Sequence, residues 1–318
     1  MNVRRRLISA TAVTAATALG LGALSACSSD SAATGNTDKF DVVASFYPMA
    51  FLAEQIGGDH ANVTSLTEPG QEPHDLEIST KQRAQLEEAD AALFLKGLQP
   101  AVDEAVSQTG IKTKIDAASL TSLEDHGGTE HAHEGEEGHA EEEEHARDPH
   151  IWLDPVKYAE VAEGVGKAFE KADPDHAADY KKNTEALVKK LNGLDGDFEN
   201  GLKNTKTKVF FTNHAAFGYL AERYGLTQEA ISGLDPESEP SAARVRELQQ
   251  EAKADGVTTV FYETLVSDKT AKTLAKDAKL KTDVLDPLEG VTDKSRGDDY
   301  FQVMEANLKA LQAALGAK

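Results

Sequence analysis

From residue 40 onward the apolar positions follow two alternating rhythms. Short runs rich in β-branched and aromatic residues, at 40–45, 62–66, 91–95 and 112–115, read as strands. Between them, 48–56 and 79–89 carry helical spacing, the second with Ser79 or Thr80 as its cap, and one more helix precedes residue 112. This strand–helix alternation predicts a parallel sheet covered on both faces. A second set follows, with strands predicted at 208–212, 228–231, 258–262 and 282–285.

Two segments interrupt the rhythm. Residues 124–148 hold eleven acidic residues, one arginine and five histidines, with almost no apolar side chains. Such a stretch buries too little to repay the entropy of ordering, so it is read as a disordered loop. Helical sequence then runs from Pro155 to about Ala172. A long helix to about Asn204 follows Asp173 as cap and Pro174 at the first helical position. Its apolar face carries Tyr180, Leu187, Leu191, Leu194 and Phe198, and Gly193, Gly196 and Gly201 weaken it. The predicted fold is α/β with two lobes, 40–172 and 205–318, each a parallel sheet flanked by helices. The helix at 173–204 joins them. No sequence repeat relates the two lobes.

Charge narrows the function. The 318 residues carry 55 acidic and 33 basic side chains, a net charge of −22, which repels nucleic-acid phosphates and attracts cations. The first 26 residues read as an export signal: Arg4, Arg5 and Arg6, a short apolar stretch, then Leu24-Ser25-Ala26 before Cys27. Loss of this segment removes three positive charges and no negative ones, leaving about −25. Cys27 is the only cysteine, which excludes an internal disulfide and a thiolate zinc site. The Leu-Ser-Ala-Cys run resembles the bacterial lipobox, which implies lipidation of Cys27 and a flexible tether over 27–39.

Three histidines outside the acidic loop fall at comparable points of the predicted topology. His74 follows the second strand in Gln-Glu-Pro-His-Asp, His150 lies in Asp-Pro-His-Ile-Trp, and His214 directly follows the first strand of the second lobe. Loops at the carboxyl ends of parallel strands are where open α/β sheets bind ligands. A single loop histidine is ordinarily a surface residue; three at matching strand ends point to a metal. Each begins or precedes a helix, whose positive end is expected to hold imidazole in the neutral, metal-binding form. Three imidazoles and one carboxylate suit tetrahedral zinc, whereas manganese prefers more oxygen ligands. Asp286 and Glu289, after the last strand, are both candidates for the carboxylate. Trp152 is read as a core residue beside His150. The sequence carries no G-x-S-x-G, no complete H-E-x-x-H after His133 and no complete phosphate-binding loop near Gly164, so nothing argues for an enzyme.

Four motifs in order, Glu-Pro-His-Asp at 72–75, Asp-Pro-His-Ile-Trp-Leu-Asp-Pro at 148–155, Asn-His-x-x-Phe-Gly-Tyr at 213–219 and Leu-Asp-Pro-Leu-Glu at 285–289, resemble the cluster A-I metal-binding lipoproteins of bacterial ABC importers, specifically the zinc branch. The resemblance spans residue 40 to the C-terminus. It implies a metal at the interface of the lobes, with His74, His150, His214 and, by spacing, Glu289 as ligands. A histidine at 214, where manganese-type relatives place a carboxylate, favours zinc. The resemblance also implies that the loop histidines His126, His131, His133, His139 and His145 form auxiliary metal sites. The expected protein is a monomer, lipid-anchored outside the cytoplasm, that captures Zn2+ and delivers it to a permease and its ATPase. A manganese-binding homologue, an extracellular zinc enzyme and an adhesin are the rival readings. Removing 124–146 is expected to leave the interface site intact.

Overall fold

Among the described residues, eight strands of four or five residues form two separate sheets, and every pairing is parallel. The structure is a computed structural model that describes residues 39–126 and 147–317. The signal, residues 27–38 of the tether with Cys27, and His131, His133, His139 and His145 lie outside the described residues. In the first lobe β1 (Phe40–Ala44), β2 (Ala61–Ser65), β3 (Ala91–Phe94) and β4 (Thr113–Asp116) are ordered β2-β1-β3-β4. In the second, β5 (Val209–Thr212), β6 (Thr227–Ala230), β7 (Thr259–Tyr262) and β8 (Lys281–Val284) are ordered β6-β5-β7-β8. The two orders are the same, so a structural repeat exists that the sequence does not display.

Local signals account for most of the helices. α1 (Tyr47–Gly57) starts with Pro48 in its first turn. α2 (Thr80–Glu88) is preceded by Ser79, which forms a full capping box with Gln82. α3 (Pro100–Gln108) and α4 (Pro155–Ala172) both begin on proline, and the Asp154 carboxylate caps α4 through the Val156 N–H. The long helix differs from expectation at its start. Residues Pro174–His176 form a 3-10 turn, and α5 runs Ala177–Leu202. Asp173 caps no backbone group there, because its carboxylate is taken by His176 Nδ1–H at 2.7 Å and the Tyr180 hydroxyl at 2.6 Å. The second lobe adds α6 (Gly218–Arg223), α7 (Ala242–Ala254), α8 (Lys269–Ala278) and α9 (Tyr300–Leu315).

One apolar core runs through both lobes. It joins Phe40, Met49 and Trp152 of the first lobe to Phe210, Leu285 and Leu311 of the second, through Leu187, Leu191 and Phe198 of α5. Smaller clusters cover the other face of each sheet. α9 belongs to the second lobe in sequence but reaches the first: Tyr300 stacks on Phe51 at 5.4 Å and lies 4.8 Å from Tyr158. Polar contacts seal the same seam, with Trp152 Nε1–H donating to Pro287 O at 2.7 Å and the Tyr300 hydroxyl to Trp152 O at 2.7 Å. A large apolar interface of this kind opposes free rocking of the lobes. At the α4–α5 crossing, Gly166 allows close approach: a Cβ there would sit 2.3 Å from Thr184 Oγ1.

Candidate metal centre

Each candidate ligand is set by its own piece of backbone. His214 lies just past β5, and its carbonyl accepts from the Thr212 hydroxyl at 2.7 Å and Gln228 Nε2 at 2.9 Å. His150 heads a short 3-10 turn, Ile151–Leu153, that buries Trp152 behind it. His74 sits in the loop after β2, in a turn where Leu76 N–H donates to Pro73 O at 3.2 Å. Glu289 follows Leu288, a buried residue with φ of +58°. That left-handed conformation costs a non-glycine residue about 1–2 kcal/mol, and burial of the leucine side chain offsets it.

Four side chains from both lobes converge. The Nε2 atoms of His74, His150 and His214 lie 3.2, 3.4 and 3.3 Å from one oxygen, Glu289 Oε1. His150 and His214 Nε2 are 3.4 Å apart, and one ligand atom from each of the four residues falls within 4.8 Å of all the others. His150, His214 and Glu289 have no side-chain exposure, while His74 retains 11%, so the site opens to solvent on the His74 side.

Asp286 does not reach this cluster. Its carboxylate accepts from Leu288 N–H at 2.9 Å and the Thr264 hydroxyl at 3.1 Å, and its backbone N–H and C=O pair with the Asn307 side chain. It shapes the turn that delivers Glu289.

Carboxylates also face the far nitrogens of two rings. His150 Nδ1 is 2.7 Å from Asp148 Oδ1, and His214 Nδ1 is 2.6 Å from Glu263 Oε1. A proton held on Nδ1 turns the Nε2 lone pair toward the centre, the usual arrangement of a metal-binding histidine. For His150 and His214 these carboxylates work against the expectation that helix ends keep the imidazole neutral. Burial disfavours the charged His214 ring, yet Glu263 and Glu289 raise its pKa well above the ordinary value. Burial opposes the His150 cation too, and hydrogen bonds to Asp148 and Glu289 raise it. Burial would raise Glu289, but His214, His150 and His74 hold it well below the ordinary carboxylate range. Glu72, two residues before His74, is raised by burial and then by the charge of Glu289. In the metal-free site, full carboxylate charges therefore outweigh the partial charge of a helix end.

The sequence reading missed Asp148 and Glu263 as supports. Asp148 had the signal of lying two residues before a candidate ligand. Glu263 follows β7 directly, the same strand-end logic that selected the histidines. The ends of the acidic segment also hold more structure than a single disordered loop over 124–148 implies. Asp148 N–H donates to Glu124 O at 3.0 Å, and Glu124 N–H to the Tyr219 hydroxyl at 2.9 Å. His126 is placed against Asp148 and Glu222.

A family model described as the periplasmic component A of a zinc-uptake complex, ZnuA, matches residues 42–314. The zinc-binding lipoprotein AdcA of Streptococcus pneumoniae is 40% identical over 299 residues, covering 91% of this chain and 58% of AdcA. This chain thus spans little more than half the length of that relative. The high-affinity zinc uptake system protein ZnuA of Bacillus subtilis is 36% identical over 315 residues, covering 94% of this chain and 98% of ZnuA. The crystal structure of the Zn(II)-bound ZnuA-like domain of S. pneumoniae AdcA superposes with a TM-score of 0.71 at 36% identity, covering 87% of this chain and 99% of that domain.

Proposed function

The chain belongs to the ZnuA family, and from that premise we propose that it captures Zn2+ outside the cytoplasm and hands it to the permease of an ABC importer. The ion is cargo and no covalent chemistry is involved. His74, His150 and His214 supply nitrogen through Nε2, and Glu289 supplies one oxygen. The observation that carries this reading is the convergence of three imidazoles from two lobes on one buried carboxylate oxygen. Three nitrogens and one oxygen match the ligand preference of zinc and leave too few oxygens for manganese. A fourth protein donor closes the position that a hydrolytic zinc site keeps open for water, which supports transport over catalysis.

Capture follows from the chain's own groups. Buried Asp148 and Glu263 hold Nδ1 protons on His150 and His214, fixing ring orientation and making Nε2 a better donor. Glu289, Asp148 and Glu263 together offset the charge of a divalent ion in a site buried on every side but that of His74. Entry occurs on the His74 side. Delivery requires a permease and its ATPase, and lipid on Cys27 would hold the protein beside them as a monomer.

Competition titration of the metal-free protein against a chromophoric chelator tests the assignment. One tight Zn2+ per chain is expected, with Mn2+ bound far more weakly. Alanine at 74, 150 or 214 is expected to reduce zinc affinity severely. Near wild-type affinity in any of these variants removes that residue from the site.

A further inference from the structure

The two roots of the acidic segment meet beside the metal centre, and His126 joins them to it. Its Nδ1 lies 2.9 Å from Asp148 Oδ2, while the other oxygen of that carboxylate holds His150 Nδ1 at 2.7 Å and His150 N–H at 2.9 Å. His126 Nε2 is 2.9 Å from Glu222 Oε2 on α6, the helix that starts four residues after His214. The ring packs edge-on against Tyr219 at 4.4 Å, and the Tyr219 hydroxyl donates to Asp148 O at 2.7 Å. Gly218 makes room for it, because a Cβ there would lie 2.4 Å from His126 Cβ. Asp148 itself is fully buried.

We propose that His126 is a positioning residue of the zinc site: it fixes the Asp148 carboxylate, and through it the His150 ring, while clamping the first lobe to α6 of the second. The proposal rests on the zinc-capture reading above. A carboxylate with one oxygen free can rotate about its Cβ–Cγ bond, and each rotation misaligns the ligand it supports. His126 N–H on Oδ2 removes that freedom, and Glu222 fixes the His126 ring from its other side. His126 therefore serves the interface site from its rim, a role separate from metal binding by the acidic segment.

The test uses the full chain in detergent, with Zn2+ affinity from chelator competition and Co2+ as a spectroscopic probe. His126→Ala and His126→Gln are expected to lose roughly tenfold in affinity, the low end of the effect of outer supporting groups. Both should shift the visible Co2+ bands that report ligand geometry. His126→Asn places an amide donor near the Nδ1 position and is expected to restore most of the affinity, whereas the glutamine donor falls near Nε2. In an Asp148→Asn background His126→Ala should add no further loss, because the two act as one unit. Unchanged affinity and bands in His126→Ala overturn the proposal, as does an asparagine variant no better than alanine. If alanine fails to fold, the asparagine–glutamine comparison still decides. Absence of tight zinc binding by the unmutated chain would instead overturn the function reading itself.

Discussion

At Leu288 a single backbone angle separates two carboxylates that local sequence leaves equal. Asp286 and Glu289 both follow β8 and both are buried, and the left-handed turn at Leu288 lies between Asp286 and the carboxylate that joins the cluster. No glycine or asparagine marks that turn, so its conformation was illegible. The three histidines could be picked out as candidates because each sits in its own motif, although only His214 directly follows a strand, His74 lying well past β2 and His150 heading the 151–153 turn. Glu289→Ala is expected to weaken zinc binding less than loss of a histidine, since water can occupy the vacated position. Asp286→Ala should act indirectly, by loosening the turn. Metal-bound structures of both variants check this, and Asp286 found on the ion would reverse the assignment. Protonation gives a second prediction. His214, raised from 6.5, stabilises the metal-free fold fully below that value and loses the contribution as pH rises through the raised pKa. Glu289, lowered from 4.5, contributes above that value and loses it as pH falls through the depressed pKa. Both shifts favour the charged forms in the metal-free site, so zinc competes with a proton for His214 Nε2. Binding heats measured in buffers of different ionisation enthalpy should reveal net proton release, and affinity should fall in acid. Buffer-independent heats would refute the coupling.

Elements were easier to read than their contacts. All eight strands fall within a residue or so of the periodicity, because alternating β-branched runs bounded by turns leave little freedom of assignment. The start of α5 was misjudged because Asp173 spends its carboxylate on His176 and Tyr180, a choice made by side chains a turn away. The glycines likewise divide by environment. Gly193 faces open space, so Gly193→Ala is expected to raise the unfolding free energy by about 0.5–1 kcal/mol through helix propensity alone. Gly166 lies against Thr184 where α4 crosses α5, so Gly166→Ala should lower it by about 1–3 kcal/mol. Urea unfolding distinguishes the two signs, and equal effects would mean that the crossing tolerates a methyl group.

Across the whole molecule, charge and connectivity make different demands on the acidic segment. Residues 127–146 carry eight glutamates, four histidines and no basic residue. Together they supply a large share of the net −22 and should raise the local cation concentration, an effect that fades with salt. Their rims serve the fold instead: Glu124 pairs with Asp148 and Tyr219, and His126 with Asp148 and Glu222. The expectation that deleting 124–146 spares the tight site therefore needs a narrower boundary. Because Asp148 N–H already meets Glu124 O at 3.0 Å, a short glycine linker can join His126 to Arg147 without strain. Deletion of 127–146 is expected to preserve one tight zinc site while removing weaker additional ones, slowing association and flattening its salt dependence. Deletion of 124–146 should cost the same roughly tenfold in affinity as His126→Ala, because it removes the same support. Stopped-flow association and chelator competition on the two deletions separate charge from scaffold. Equal affinities would assign the whole segment to charge alone, and loss of the tight site in the shorter deletion would make part of 127–146 a ligand or a structural element.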